Sequence, residues 1–471
     1  IGATLAFLVS RLLLKDWVQT KFGNYLAPVN RGMERDGNFY LFSMRMVPLF
    51  PFFVINLLMG LTPIRTWSFY WVSQLGMLLG TVVYVNAGSE LGQITSLSGL
   101  VSAPVIFSFV LLGLFPLVAR WIVNAVQRGK TLRRFDKPRK FDANVVVIGG
   151  GSAGLVASLI VAGAKAKVVL VEKHKMGGDC LNTGCVPSKS LIRSGRIMSY
   201  LRRADEYGIR NASGEVDFAA VMSRVRGVIK TIEPHDSVER FTSLGVECLQ
   251  DEAVIESPYR VRVGDRLINT RSIIVATGAR PLVPPIPGLE EVGYVTSDTV
   301  WEMQELPERL LVVGGGPIGC ELAQAFHNLG AEVTQVDMAP RIMPREDEEV
   351  SAAVMAQFAR QGIRLLTEHK LQRFVLDNNR KIMEAEHQGE TVQVEFDQVL
   401  IAIGRKPNVE GFGLENLDLP LNDNGTININ NAMQTSYPNI FACGDVAGPY
   451  QFTHMASFQA FFAAINAVLG G

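Results

Sequence analysis

Long uncharged apolar runs in the first quarter of the chain, and two copies of a strand, glycine turn and helix pattern in the rest, predict two fold classes in series. The first is an α-helical membrane domain and the second is α/β. The charge distribution marks the boundary between them. The 471 residues balance 45 Lys+Arg against 45 Asp+Glu, but residues 1–127 carry +4, residues 128–140 carry +6 and residues 141–471 carry −10. The neutral total excludes a globally basic nucleic-acid binder and an acidic disordered chain. Five cysteines are too few for a secreted disulfide scaffold. Apolar residues make up 48% and supply ample core, and the length suggests about three domains.

The helical part rests on three uncharged runs, at residues 46–64, 66–89 and 91–119. About 20 apolar residues cross a bilayer, so these runs predict transmembrane or re-entrant helices, and their number excludes a signal peptide. A buried helical core is the bland alternative. The chain opens at Ile1 inside an apolar stretch, which reads as the tail of an earlier helix and so as a fragment at this end. A basic linker follows the last run: Arg128, Lys130, Arg133, Arg134, Lys137, Arg139 and Lys140. Basic residues close to the end of a span mark the cytoplasmic side, and the same charges would attract anionic lipid headgroups. A solvated linker with no orienting role is the alternative.

The α/β part begins with a buried-strand run, NVVVI, at residues 144–148, leading into Gly149, Gly151 and Gly154 and then a helix. A second strand follows and ends at Glu172. Glycines in this G-x-G-x-x-G spacing allow a tight turn and close approach of a pyrophosphate to a helix N-terminus, while the acid accepts from ribose hydroxyls. The pattern recurs at Gly314, Gly316 and Gly319, with a strand ending at Asp337. Two complete fingerprints predict two Rossmann-like dinucleotide-binding domains and electron transfer between their ligands. Asp337 stands where the 2′-phosphate of NADP would sit, which favours NADH over NADPH, although Arg341 nearby softens that repulsion.

Between the two turns lies GGDCLNTGCVPSK. Cys180 and Cys185 are five apart, a spacing that at a helix start brings two thiols onto one face. Lys189 lies one turn further on, where its ammonium and the helix N-terminus both stabilise a thiolate. A metal site would need more ligands at shorter spacing, so no metal is expected. Two inert buried thiols are the alternative, against which the surrounding glycines, proline and lysine weigh. Cys248, Cys320 and Cys443 lack such surroundings and read as structural thiols.

These residues resemble the FAD-dependent pyridine nucleotide-disulfide oxidoreductases, the family of glutathione reductase, dihydrolipoamide dehydrogenase and mercuric reductase. The resemblance covers residues 141–471 and extends to IIVATGARP at 273–281, GGGPIGCELAQAF at 314–326, AIGRKPN at 402–408 and FACGDV at 441–446. It implies that the first turn binds FAD and the second NAD(P)H. It implies that Cys185 touches the flavin, that Cys180 is the exchange thiol, and that Lys189 lies near flavin N5 and pairs with Glu321. Asp445 would bond the ribityl–pyrophosphate portion, Thr277 and Gly278 would line the crossing between the nucleotide domains, and Gly178 and Gly404 would complete the cofactor-binding set. Electrons would pass from NAD(P)H through FAD to the Cys180–Cys185 disulfide and on to a disulfide or metal-ion substrate. The stretches CVPSKSLIRSGRI and QFTHMASFQAFFAAINAVLGG look most like the mercuric-reductase branch, so mercury(II) reduction is an alternative.

The family continues past FACGDV into a dimerisation domain that supplies a His-Glu pair. Here neither that pair nor a C-terminal cysteine pair occurs, so the chain reads as a fragment at this end too, with the dimerisation domain absent and a homodimer expected of the full-length protein. His454 stands near the flavin-facing end and reads as a structural histidine. Residues 1–126 are similar to the SNARE-associated, DedA-like (VTT) membrane domain, on Gly2, Phe7, Arg11, Arg45, Pro48, Pro51, Asn56 and Gly60. Pro48 and Pro51 would break a helix in a re-entrant segment. Arg11 and Arg45, beside apolar runs, are functional candidates, with interfacial snorkelling as the alternative. A third reading makes the chain a lipid or ion transporter whose cytoplasmic domain senses redox state.

The expected organisation is a partial membrane domain at 1–126, a basic linker at 127–140, an FAD-binding domain split between 141–296 and 409–471, and an NAD(P)-binding domain at 297–408. The expected location is a bacterial inner membrane, with the oxidoreductase domain in the cytoplasm. The expected partners are membrane lipid and a small-molecule substrate, with no nucleic acid.

Overall fold

A computed structural model describes residues 2–13, 33, 37–46, 51–92 and 103–469. The chain divides into two compact units, Ile1–Arg134 and Phe135–Gly471.

The described helices of the first unit are Gly2–Leu13, Asn38–Met46, Phe52–Gly60, Thr66–Gly92 and Ala103–Leu132. None is, by itself, long and apolar enough to cross a membrane; Thr66–Leu78 and Gly80–Glu90 meet these criteria as a pair, bent by 43°. Of the three uncharged runs expected to form transmembrane or re-entrant helices, one holds this bent pair, and among the described residues the other two hold no helix that meets the criteria. The reasons are local. Pro51 is extended, with φ −55° and ψ 137°, and starts the helix Phe52–Gly60 afresh, because a proline lacks the N–H needed to continue a helix into the preceding turn. Pro116 interrupts the apolar part of the last helix, which then runs on into the basic stretch as far as Leu132. Pro48 and residues 93–102 lie outside the described residues.

Phe7, Leu41, Met59 and Phe69 form the centre of this unit, with the rings of Phe7 and Phe69 stacked at 4.1 Å. Gly60 permits the close crossing of two helices, since a Cβ there would stand 2.7 Å from the Phe7 carbonyl oxygen. Arg45 is only 8% exposed, so it does not reach outward as snorkelling requires. Its Nε donates to Ser73 Oγ at 3.2 Å and its Nη2 donates to Asn56 Oδ1. Arg11 donates to the carbonyls of Gly60 at 3.0 Å and Thr62 at 2.5 Å.

The second unit is built on two main sheets. The first contains β1 (Ala143–Ile148), β2 (Val168–Glu172), β3 (Val246–Gln250), β4 (Ala253–Ser257), β5 (Arg260–Val263) and β6 (Arg266–Val275), in the order β3-β2-β1-β6-β5-β4. Strands β1, β2, β3 and β6 run parallel, while β4 and β5 pair antiparallel at one end. Burial on both faces explains the unbroken valine run: Val145, Val146 and Val147 are fully buried, each worth roughly 1.5–3 kcal/mol of transfer free energy. The helix Ser152–Gly163 covers this sheet.

Two short strands, β7 (Ala279–Pro281) and β8 (Val295–Thr296), lead to the second sheet, which adds β9 (Arg309–Val313), β10 (Glu332–Val336) and β11 (Arg364–Leu366). An antiparallel meander of β12 (Lys370–Asp377), β13 (Arg380–His387) and β14 (Glu390–Phe396) packs on it before β15 (Gln398–Ile401) returns to the sheet. The order is β11-β10-β9-β15-β8, all parallel. Next, β16 (Arg405–Pro407) pairs with β7 as a separate ribbon, and β17 (Ile440–Ala442) joins β6 of the first sheet. The closing helix Thr453–Leu469 lies against Ser152–Gly163 through Ala456, Ala460, Ala463, Ala464 and Ala467, small side chains that allow close approach. The last 60 or so residues thus complete the sheet that the first strands began.

Candidate functional site

Each main sheet carries a glycine turn at the end of its central strand. Gly149 has φ +105° and Gly314 φ +116°, conformations that favour glycine, and a Cβ at either would strike a carbonyl oxygen, of Ala276 at 2.4 Å or Ala402 at 2.3 Å. Gly154 and Gly319 press against the carbonyls of Gly149 and Gly314, where a Cβ would come to 1.8 and 2.2 Å. The helices that follow, Ser152–Gly163 and Pro317–Leu329, begin at Gly151 and Gly316 with no side-chain cap, which leaves their first N–H groups available to an anion. The two acids play matching roles. Glu172 accepts from the N–H of Gly150 at 2.6 Å and of His174 at 2.7 Å, and Asp337 accepts from Gly315 at 2.5 Å and Ala339 at 2.7 Å. Each carboxylate braces its own glycine turn.

The two turns open into one cleft of about 2690 Å³. Gly149, Gly151, Glu172, Gly178, Cys180, Cys185, Lys189, Thr277, Gly278, Gly314, Gly316, Glu321, Asp337, Gly404 and Asp445 all line it. Of the catalytic and cofactor-binding residues expected from the sequence, Gly154 and Gly319 stand back from it, as the packing glycines of their turns. Thr277 and Gly278 meet the segment after β16: Thr277 Oγ1 donates to the Asn408 carbonyl at 2.7 Å, and Asn408 Nδ2 returns a bond to the Thr277 carbonyl at 2.9 Å.

Cys180 lies on the short helix Gly178–Asn182 and Cys185 opens the helix Cys185–Arg202. Both are free thiols, joined by a hydrogen bond. That bond, the hydroxyl of Thr453 at 3.3 Å and the charge of Lys189 pull Cys185 down to about 5, against the effect of burial. The same bond, together with burial, pushes Cys180 well above the usual thiol range. One sulfur is therefore set to carry charge and the other to keep its proton. Glu321, on Pro317–Leu329, is half-buried; burial raises its carboxyl, Lys189 draws it down and Cys185 pushes it up, so these three charges face one another. Their carriers are held together by the helix crossing at Gly195, where a Cβ would come 3.0 Å from the Ala325 carbonyl oxygen.

Burial also raises Asp445, with Arg405 opposing. His454 stacks on Phe452 at 5.5 Å and lines the cleft. The sequence reading missed Thr453, the immediate partner of Cys185. Its one local signal was a threonine at the start of a helix, a common capping position that says nothing about a thiol 268 residues away.

Residues 143–460 match the family model described as pyridine nucleotide-disulphide oxidoreductase, and residues 1–90 match the VTT domain. A mercuric reductase of Staphylococcus aureus is 34% identical over 333 residues, covering 71% of this chain and 61% of that protein. A dihydrolipoyl dehydrogenase of Bacillus subtilis (strain 168) is 36% identical over 338 residues, covering 68% of this chain and 70% of that protein. Among solved structures, the Cu(II) complex of the HOCl-induced flavoprotein disulfide reductase RclA C43S mutant from Escherichia coli matches at 27% identity. Its TM-score is 0.62, with 70% of this chain and 72% of that one covered. The chain spans 61% and 52% of the length of two mercuric reductases that it matches.

Proposed function

The chain belongs to the pyridine nucleotide-disulphide oxidoreductase family, and from that premise we propose that it is a membrane-anchored flavoprotein disulfide reductase. In this reading, electrons pass from NAD(P)H through FAD to the Cys180–Cys185 pair and then to a disulfide or metal-ion substrate. The observation that carries it is the thiol pair, with the Thr453 hydroxyl and Lys189 beside it, in the same cleft as two uncapped glycine turns. The first turn fits the pyrophosphate of FAD, because its glycines leave no Cβ in the cradle and its helix N–H groups are free. Glu172 would meet the adenosine ribose and Asp445 the ribityl chain. The second turn fits the nicotinamide nucleotide, and Asp337 favours NADH. The domain scheme is an FAD domain split around a nucleotide domain at 297–408, and the return of β17 and Thr453–Leu469 to the first sheet supports it.

FAD, when bound, supplies two-electron transfer between the nicotinamide and the disulfide. The protein's own groups manage charge and protons. Lys189 and the Thr453 hydroxyl stabilise the Cys185 thiolate, with the hydroxyl donating to sulfur in that state. Glu321 lies near enough for its charge to act on Lys189 and would balance it. Cys180 keeps its proton until it attacks substrate or closes the disulfide. Residues 1–134 would anchor the enzyme in the bacterial inner membrane with residues 135–471 in the cytoplasm. A homodimer of the full-length protein fits the exposed aromatic face of the last helix, where Phe458 and Phe461 are 57% and 47% exposed.

The test is spectroscopic. The purified chain should be yellow, and NADH added without oxygen should bleach the flavin absorbance and raise a long-wavelength band that Cys185→Ser removes. A colourless protein that binds no flavin would refute the reading. Mercury(II) or another metal ion as electron acceptor is the second reading, favoured by the names of the mercuric reductase and Cu(II)-bound relatives. NADH-driven loss of Hg(II) or Cu(II) in the full-length protein, against a disulfide such as lipoamide, decides between them.

A further inference from the structure

Between Gly404 and Asp445, both assigned above to cofactor binding, stands a cation that this reading leaves without a task. Arg405 opens β16, and its side chain is only 12% exposed. Three carboxylates surround its guanidinium. Nη2 pairs with Asp179, the residue before Cys180; Asp298 lies 3.7 Å from Nη1 and Asp445 3.9 Å from Nε. Nη2 also donates to the Ala279 carbonyl at 2.7 Å, and Nη1 to Ser297 Oγ at 3.5 Å.

A second side chain fastens the other flank of Cys180. Trp301 Nε1 donates to the carbonyls of Thr183 and Ser297, both at 2.8 Å, and the residue is 6% exposed. Asp179 and Thr183 thus bracket the exchange thiol, one gripped by Arg405 and the other by Trp301. Both grips spring from one place in the fold. β8 leads directly to Ser297, Asp298 and Trp301, β15 leads to Arg405, and β8 and β15 are hydrogen-bonded neighbours.

The turn between these grips has only partial support of its own: Asn182 Nδ2 donates to the carbonyls of Met176 at 3.0 Å and Gly178 at 2.9 Å. The helix Gly178–Asn182 has five residues, too few for a stable isolated helix, and it is entered through Gly177 and Gly178, both at positive φ. Beyond those local bonds, the position of Cys180 depends on contacts from outside the turn. We propose that Arg405 and Trp301 are positioning residues that clamp the Cys180 turn to the edge of the second sheet, keeping the exchange thiol within bonding reach of Cys185. This rests on reading Cys180 and Cys185 as a redox pair. Neither residue touches a thiol; Arg405 acts through Asp179 and Trp301 through the Thr183 carbonyl. Lysine cannot replace Arg405, because one ammonium on a flexible stem cannot span Asp179, Ala279 and Ser297 together. Removing the guanidinium also leaves Asp179, Asp298 and Asp445 facing each other uncompensated. Burial already pushes the Asp179 carboxyl up to about 6 against the pull of Arg405.

The test is the equilibrium between disulfide and dithiol in the purified full chain, poised with mixtures of reduced and oxidised dithiothreitol and read by thiol trapping and mass spectrometry. One dithiothreitol dithiol is oxidised for each Cys180–Cys185 bond opened, and both protein sulfurs leave as thiols. Loosening the turn lowers the effective concentration of one thiol at the other. Arg405→Lys and Trp301→Phe should each shift the equilibrium toward the dithiol by about tenfold, or about 30 mV for this two-electron couple. Asp179→Asn removes the Arg405 contact from its half-exposed end and should give the same shift. Arg405→Lys added to it should change nothing more, whereas Trp301→Phe should add its own effect. Equilibria within about twofold of the parent in Asp179→Asn and Trp301→Phe, both folded by circular dichroism, would overturn the clamp while leaving the redox pair intact. A parent chain that forms no Cys180–Cys185 bond under oxidising conditions would overturn the redox-pair reading itself, and the clamp with it.

Discussion

At Cys185 one hydroxyl helps decide how much charge a sulfur can hold. Thr453 sits 3.3 Å from Sγ and can donate only if the sulfur is the acceptor, which favours the thiolate. Because the thiol is drawn down to about 5, Cys185 should stay ionised as pH falls from 8 and lose its charge only below about 5. Thr453→Val removes the donor and keeps the shape. The pH midpoint of Cys185 alkylation by iodoacetamide in the reduced protein should then rise by about one pH unit, the size expected for loss of one charge-assisted hydrogen bond. Lys189→Met should move the midpoint in the same direction, and Glu321→Gln in the opposite one, because Glu321 and the Cys185 thiolate repel. Unchanged midpoints in all three would show that the environment of Cys185 is not what sets its charge. The thiols and the lysine were legible because they fall within ten consecutive residues; Thr453 was not, because nothing local ties it to a cysteine.

At the scale of elements, the crossing of Cys185–Arg202 and Pro317–Leu329 brings Lys189 to Glu321, and Gly195 permits that crossing. Gly195→Val would push side-chain atoms against the Ala325 carbonyl, and overpacking of this kind costs about 1–3 kcal/mol, read as a lower urea midpoint. Gly227, on the helix Phe218–Ile232, is exposed, and a Cβ there would meet nothing within 4 Å. Gly227→Ala should therefore stabilise by about 0.5–1 kcal/mol in the same assay. The strands and helices around both glycine turns follow directly from their hydrophobic period. The apolar runs of the first unit were harder to divide, because length and lack of charge do not locate a bend, and prolines and the packing around Arg45 set the breaks.

For the whole molecule, the cleft between the two sheets of the second unit is large and lined by both glycine turns, so its stability should depend on what fills it. A ligand that binds only the folded state adds RT ln(1 + [L]/Kd), about 2.7 kcal/mol at a hundredfold excess over Kd. Stripping FAD should lower the thermal midpoint, and returning FAD should restore it; adenosine diphosphate ribose, which lacks the flavin, should not do so fully. NADH should protect at lower concentration than NADPH if Asp337 excludes a 2′-phosphate. By itself the sequence determined the two fold classes, both glycine turns with their acids, and the Cys180, Cys185 and Lys189 constellation. Each of these is written within a few residues or within one strand–turn–helix unit, where backbone sterics and periodicity act directly. Only the tertiary structure decided the partners of those residues. Thr453 beside Cys185 and Arg405 beside Asp179 are contacts across 268 and 226 residues, made when β17 rejoins the first sheet and β15 returns beside β8. Pairing at that range is set by which strands share a sheet, and no local pattern of residues carries that information.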